Sequence, residues 1–230
     1  MRPRPPWWGG HLQTVGAWAS APGAVSGYRS ESEYVLPLDD GSGDALAGVL
    51  YDPEDPFQAN SSRNNPIVVL MHGLGGDSQS YYVQASAHNL LAMGHRVLVI
   101  DFRGAGASAR HSGELYHPGR NDDIHALVDA IDSETEQALQ RAGVVLVGYS
   151  LGASVLLKYL AEADATSHDE SIEDALGPSD RREQHSTSGI LGAVAISAPL
   201  DLASTSKCLG RPAQWGYQKY LLHKMRNQAL

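Results

Sequence analysis

Hydrophobic positions along the chain fall into two regimes that meet near residue 66. Before it, apolar residues follow no long period. Residues 1–30 are rich in Pro, Gly, Ala and Trp and read as an arm lying on a larger body. Glu33 to Leu38 and Leu46 to Tyr51 read as strands, and the Asp-Asp-Gly-Ser-Gly-Asp run from Asp39 to Asp44 suits the turn of an antiparallel hairpin. Asp52 to Asn65 is a polar linker. Beyond it, short continuous apolar runs alternate with longer amphipathic stretches, the pattern of parallel strands buried on both faces by crossover helices. This predicts strands at Ile67 to Met71, Arg96 to Ile100, Val144 to Val147 and Ile190 to Ile196. Helices are predicted at Ser80 to Met93, Asp122 to Ala142, Leu151 to Glu162 and, near the end, Gln214 to Asn227. Asp164 to Ser188, with its Asp, Glu and Arg clusters, is too polar to pack and reads as an exposed insertion.

Composition narrows the possibilities. The 230 residues are 42% hydrophobic, which suits one α/β domain with a sizeable core. A net charge of −9 argues against nucleic acid as a partner, because such binding draws its affinity from cations that neutralise phosphates. The lone Cys208 excludes an internal disulfide and a Cys-rich zinc site, so a reducing cytoplasm is the expected compartment. No segment approaches the roughly 20 apolar residues of a membrane span, and the N-terminus lacks the apolar stretch of a signal peptide. A sheet that ends soon after its fourth parallel strand exposes an apolar edge, which calls for a partner or for the rest of a longer protein. Nothing in the residues specifies an oligomeric state.

The chemistry concentrates at Gly148-Tyr-Ser-Leu-Gly152. In a chain with 24 glycines a G-x-S-x-G match alone is weak evidence; its context supplies the specificity. It sits where a buried strand turns at once into a helix, so Ser150 is forced into a strained backbone with its hydroxyl at the C-terminal edge of the sheet. The N–H of Leu151, on the helix N-terminus, would face a developing oxyanion. The strand Ile67 to Met71 ends in His72-Gly-Leu-Gly-Gly76, a Gly-rich turn suited to a second donor, the N–H of Leu74. His72 reads as a fixer of its loop rather than a base, and Arg103, in Asp101-Phe-Arg-Gly-Ala-Gly-Ala-Ser108, as a tie-down rather than an anion binder. The ten histidines show no metal-ligand spacing, and neither a dinucleotide fingerprint nor a phosphate loop is present, so no metal or cofactor is expected.

These motifs, in this order, resemble the α/β-hydrolase superfamily. More closely, Trp7 to Thr14, Phe102-Arg-Gly104, Leu115-Tyr-His-Pro-Gly119 with Asp122 and Asp123, Ser150 to Leu160, Ser197-Ala-Pro-Leu-Asp-Leu202 and Tyr217 to Leu222 resemble its YheT-like branch, also called the AB hydrolase 4 family. The resemblance implies an α/β-hydrolase fold: a mostly parallel sheet with an N-terminal antiparallel hairpin and helices on both faces. It also implies carboxylic-ester hydrolysis, in relatives that act on short acyl esters, monoacylglycerols or phospholipids, by a triad in chain order Ser, Asp, His. Only Ser150 carries over; the family's acid and His lie after two further strands, beyond residue 230, which makes this a C-terminally incomplete domain. The sequence departs from the family at Ala153-Ser154, where Gly-Asn is usual, and at Ala105-Gly106, where a Cys is common. Asp201 and His223 are the weaker candidates for acid and base within the chain, and residues 199–230 read as the start of a helical cap. The expectation is a serine hydrolase acting on a small-molecule ester through an acyl-enzyme. Its rival is a catalytically incomplete member of the fold that binds an acyl ligand or a partner.

Overall fold

The computed structural model describes residues 25–54, 66–138, 143–167 and 189–228. Six strands form one sheet: β1 (Tyr28–Pro37), β2 (Ala45–Pro53), β3 (Ile67–Met71), β4 (Val97–Asp101), β5 (Val144–Tyr149) and β6 (Ile190–Ile196), in the order β1-β2-β4-β3-β5-β6. β1 pairs antiparallel with β2 and β2 antiparallel with β4, while the β4, β3, β5 and β6 neighbours are all parallel. The helices are α1 (Tyr81–Ala92), α2 (Asp122–Ala138), α3 (Leu151–Ser167), α4 (Leu202–Leu209) and α5 (Trp215–Gln228), with 3-10 turns at Gly106–Arg110 and Pro212–Gln214.

The continuous apolar runs of β3 and β4 follow from burial on both sides, since every residue of both strands is buried. Successive side chains point to opposite faces. Val68, Leu70, Val97 and Val99 meet Val83, Ala87 and Leu91 of α1. Val69, Met71, Leu98 and Ile100 meet Ile124, Leu127 and Val128 of α2 and Val155, Leu156 and Tyr159 of α3. Each such aliphatic side chain contributes about 1.5–3 kcal/mol of burial. The polar loops that follow β3, β4 and β5 are thereby brought to one end of a rigid sheet.

The structure alters several boundaries. β1 begins at Tyr28, within the stretch expected to be arm, because its backbone pairs with β2 from Tyr28 opposite Pro53 onward, with a register shift between Tyr28 and Ser30. β2 runs to Pro53, past the expected start of the linker. α3 continues to Ser167, so its last turn takes in the beginning of the expected insertion from Asp164; residues 168–188 lie outside the described residues, as do 1–24. α4 is a helix the apolar pattern does not announce. β6 is the far edge of the sheet, where Leu191 is 64% exposed and Val194 and Ile196 are also open.

Candidate active site

β5 enters α3 through Ser150, whose φ of 51° lies in the left-handed region that side chains with a Cβ avoid. The flanking glycines are sterically required. A Cβ on Gly148 would lie 2.7 Å from the N and Cα of Ala153, and one on Gly152 would collide with the carbonyl oxygen of His72. The turn is held by the Ser150 N–H donating to the Ile196 carbonyl at 2.8 Å and by the Ser154 N–H donating to the Ser150 carbonyl at 3.1 Å, which opens the helix. Ser150 is exposed, and among the described residues no side chain hydrogen-bonds its hydroxyl. The loop after β3 lies alongside: a Cβ on Gly73 would stand 3.0 Å from Ser150 Cβ and 3.6 Å from its Oγ.

The N–H groups of that loop can be accounted for one by one. Gly73 N–H donates to the Tyr82 hydroxyl at 3.0 Å, Gly75 N–H to the Tyr116 hydroxyl at 2.7 Å, and Gly76 N–H to the Gly73 carbonyl at 3.0 Å. Among the described residues the Leu74 N–H has no acceptor, and neither has the Leu151 N–H in the first turn of α3. An unpaired N–H is ordinary in the first turn of a helix, and Leu74 adds a second in the neighbouring loop, so two donors without a described acceptor flank an exposed serine of left-handed backbone, the arrangement an oxyanion site would require.

The family model for the alpha/beta hydrolase fold matches residues 66–172, the stretch that holds both loops and the elbow. The chain belongs to the α/β-hydrolase superfamily. It is 32% identical over 113 residues to a monoacylglycerol lipase of Saccharomyces cerevisiae, covering 49% of this chain and 24% of that protein. It is 30% identical over 169 residues to Abhydrolase domain-containing protein 2 of Drosophila melanogaster, covering 72% and 39%. To the YheT protein of Escherichia coli, whose name gives it as a candidate esterase, it is 27% identical over 176 residues, covering 76% and 44%. The chain therefore spans less than half the length of these relatives. Among solved structures, the Pyrococcus furiosus esterase Pf2001 shares the fold at a TM-score of 0.53 and 20% identity, over 87% of this chain and 66% of that one.

Within this hydrolase fold, the other titratable groups near the elbow are committed to the scaffold. His72 is buried; its Nδ1–H donates to the Gly73 carbonyl at 2.8 Å and its Nε2 accepts from the Phe102 N–H at 3.2 Å. Burial pushes its pKa down, against the pull of Asp101, so the ring is neutral and both nitrogens are used. Asp101 accepts from the Ser78 N–H and hydroxyl and from the Ala107 N–H at 2.8 Å, tying the loop after β4 to the one after β3. Arg103 is buried and reaches Asp123 at 2.9 Å, Asp44 at 3.3 Å, Ser42 at 3.2 Å and Asp40. Burial works against its charge, but the hydrogen bonds to Asp123 and Asp40 outweigh it and hold its pKa above the ordinary value. It is a tie-down between the hairpin turn, the β4 loop and the start of α2.

Asp201 and His223 are set differently. Asp201 is the N-cap of α4: one carboxylate oxygen accepts the Ser204 N–H at 2.8 Å and the other its hydroxyl, and these bonds lower its pKa. His223 lies on the exposed surface of α5. Ser154 donates its hydroxyl to the Pro199 carbonyl at 3.0 Å and so ties α3 to the exit of β6. No group of three His, Cys, Asp or Glu residues that could hold a metal is found among the described residues, and no described helix is long and apolar enough to cross a membrane. Tyr116 lies in the Leu115-Tyr-His-Pro-Gly119 segment that carries the resemblance, but nothing there assigns its hydroxyl to the loop after β3, and the hydroxyl of Tyr82 has no sequence signal beyond aromatic character.

Proposed function

We propose that this chain carries the nucleophile and oxyanion site of a serine esterase of the YheT-like branch, acting on small-molecule carboxylic esters of short-acyl or lipid-derived type. The observation that carries the reading is the pairing of an exposed Ser150 at φ 51° with the two backbone N–H groups, of Leu74 and Leu151, that have no acceptor among the described residues. Ser150 Oγ attacks the ester carbonyl carbon, its proton passing to a general base. The carbonyl oxygen takes the negative charge against the two N–H donors, and the bond to the alcohol oxygen breaks as that oxygen takes up the proton. Water then attacks the acyl-enzyme, releasing the carboxylate and restoring Ser150. The names of the relatives, a monoacylglycerol lipase among them, support an ester as substrate.

The base and its orienting acid come, in this reading, from outside the described residues, since His72 has no free nitrogen and Asp201 is occupied as a helix cap. α4 and α5, which follow β6, serve as the first part of a cap over the site. The lone Cys208, exposed on α4, fits a protein working in the reducing cytoplasm. The absence of any described side chain on the Ser150 hydroxyl favours a second reading, an acyl-binding protein without turnover. Hydrolysis of p-nitrophenyl butyrate by the whole protein, including the residues that supply the base, separates the two. Turnover by the wild type that disappears in Ser150→Ala supports the esterase; wild-type and Ser150→Ala rates equal to background, with retained binding of the butyrate product, support the binding protein.

A further inference from the structure

The Leu74 N–H sits on a tight turn, Gly73 to Gly76, closed by one backbone hydrogen bond and by Gly75 at φ 67°. Such a turn is weakly held by itself. Two tyrosine hydroxyls brace it on either side of Leu74, Tyr82 at Gly73 and Tyr116 at Gly75.

Of the two, Tyr116 also reaches the end of α5. Its ring stacks on Phe102 with centroids 5.6 Å apart and meets His72 edge-on at 5.5 Å, and its own N–H donates to the Arg103 carbonyl at 3.0 Å. Its hydroxyl accepts from Gly75 and donates to the Gln228 side-chain oxygen at 3.4 Å, while the Gln228 amide nitrogen donates to the Gly76 carbonyl at 2.8 Å. Gln228 is the last residue of α5, and that helix also packs on the turn, since a Cβ on Gly75 would lie 3.0 Å from Lys224 Cβ. The hydroxyl thus joins the oxyanion turn to α5.

We propose that Tyr116 is a positioning residue for the oxyanion donor Leu74, and that through Gln228 it couples the seating of α5 to that donor. The proposal rests on the reading of Ser150 as nucleophile and Leu74 N–H as oxyanion donor. A phenol suits the task because burial pushes its pKa up to about 12, so it keeps the proton it gives to Gln228.

The test uses the whole protein, including the residues that supply the base, and two readouts, amide hydrogen exchange at Gly75 and the rate at which a fluorophosphonate labels Ser150. Tyr116→Phe keeps the ring contacts and removes the acceptor. Exchange at Gly75 should rise and labelling should slow, each roughly 10-fold, with the thermal midpoint lowered by no more than about 6 °C. Gln228→Ala should move both readouts in the same direction by less, and Tyr81→Phe neither. Unchanged Gly75 protection in Tyr116→Phe overturns the proposal. So does faster exchange with undiminished labelling, which would make the hydroxyl a structural brace only. If the wild type itself does not label, the nucleophile reading has failed and the proposal falls with it, whereas labelled wild type with unmoved variants sinks the proposal alone.

Discussion

The centre of the sheet and its β6 end treat their polar and apolar groups in opposite ways. Around β3 and β4, every aliphatic side chain is covered, and His72, Asp101 and Arg103 are buried with their hydrogen-bonding capacity spent on loop backbone and partner carboxylates. At β6, α4 and α5, Leu191, Leu200, Trp215 and Tyr220 are open to solvent, Leu200 by 85%. Ser150 stands at the junction. The lesson is that titratable groups buried nearest the elbow are scaffold, and that the proposed reactivity rests on what the described residues leave unpaired: one hydroxyl and two backbone N–H groups.

The largest effect should come from breaking the central side of that contrast. Arg103→Met removes the cation shared by Asp40, Asp44 and Asp123 and leaves buried carboxylates uncompensated. A loss of about 3–5 kcal/mol in a urea melt is expected. A loss below about 1 kcal/mol would mean that the cluster is solvated rather than structural.

A smaller and pH-dependent effect belongs to His72. Its pKa is depressed by burial below the ordinary 6.5, so as pH falls below about 6.5 the unfolded chain takes up a proton that the folded chain refuses. Stability contributed by the neutral ring is therefore intact above that value and declines on acidification, by up to about 1.4 kcal/mol per pH unit for a single group. Urea midpoints measured at pH 7.5 and 5.5 should differ less in His72→Gln than in wild type. Equal differences would remove His72 from the account.

Ser150→Gly sharpens the contrast from the other side. It relieves a left-handed backbone at no loss of packing, so the chain should gain about 1 kcal/mol while losing all reactivity. A destabilised variant would show that the side chain is part of the scaffold after all. The smallest effect is expected for Asp201→Ala, which frays α4 through loss of its cap and leaves Ser150 labelling intact. Loss of labelling there would restore Asp201 as a triad acid.

Much of this was legible in the residues. The span of β3 and of β6, the elbow and the Gly-rich turn follow from apolar runs broken by glycine, which report local geometry. α4 is legible only as part of the helical cap expected over residues 199–230, without its own bounds, and Asp201, the weaker candidate acid, is the cap of that helix through Ser204. Arg103 was read as a tie-down, but its partners Asp40 and Asp44 are about sixty residues away, and the hydroxyl of Tyr116 meets Gly75 across 41 residues. Such contacts are made by the sheet order β1-β2-β4-β3-β5-β6, which no local pattern encodes.

The most direct measurement is a fluorophosphonate reaction with the whole wild-type protein, including the residues that supply the base, followed by mass spectrometric mapping of the adduct. The account predicts a single modified site, on the peptide that holds Gly148 to Gly152, absent in Ser150→Ala. An adduct on another residue, or equal modification of the Ser150→Ala chain, would contradict it.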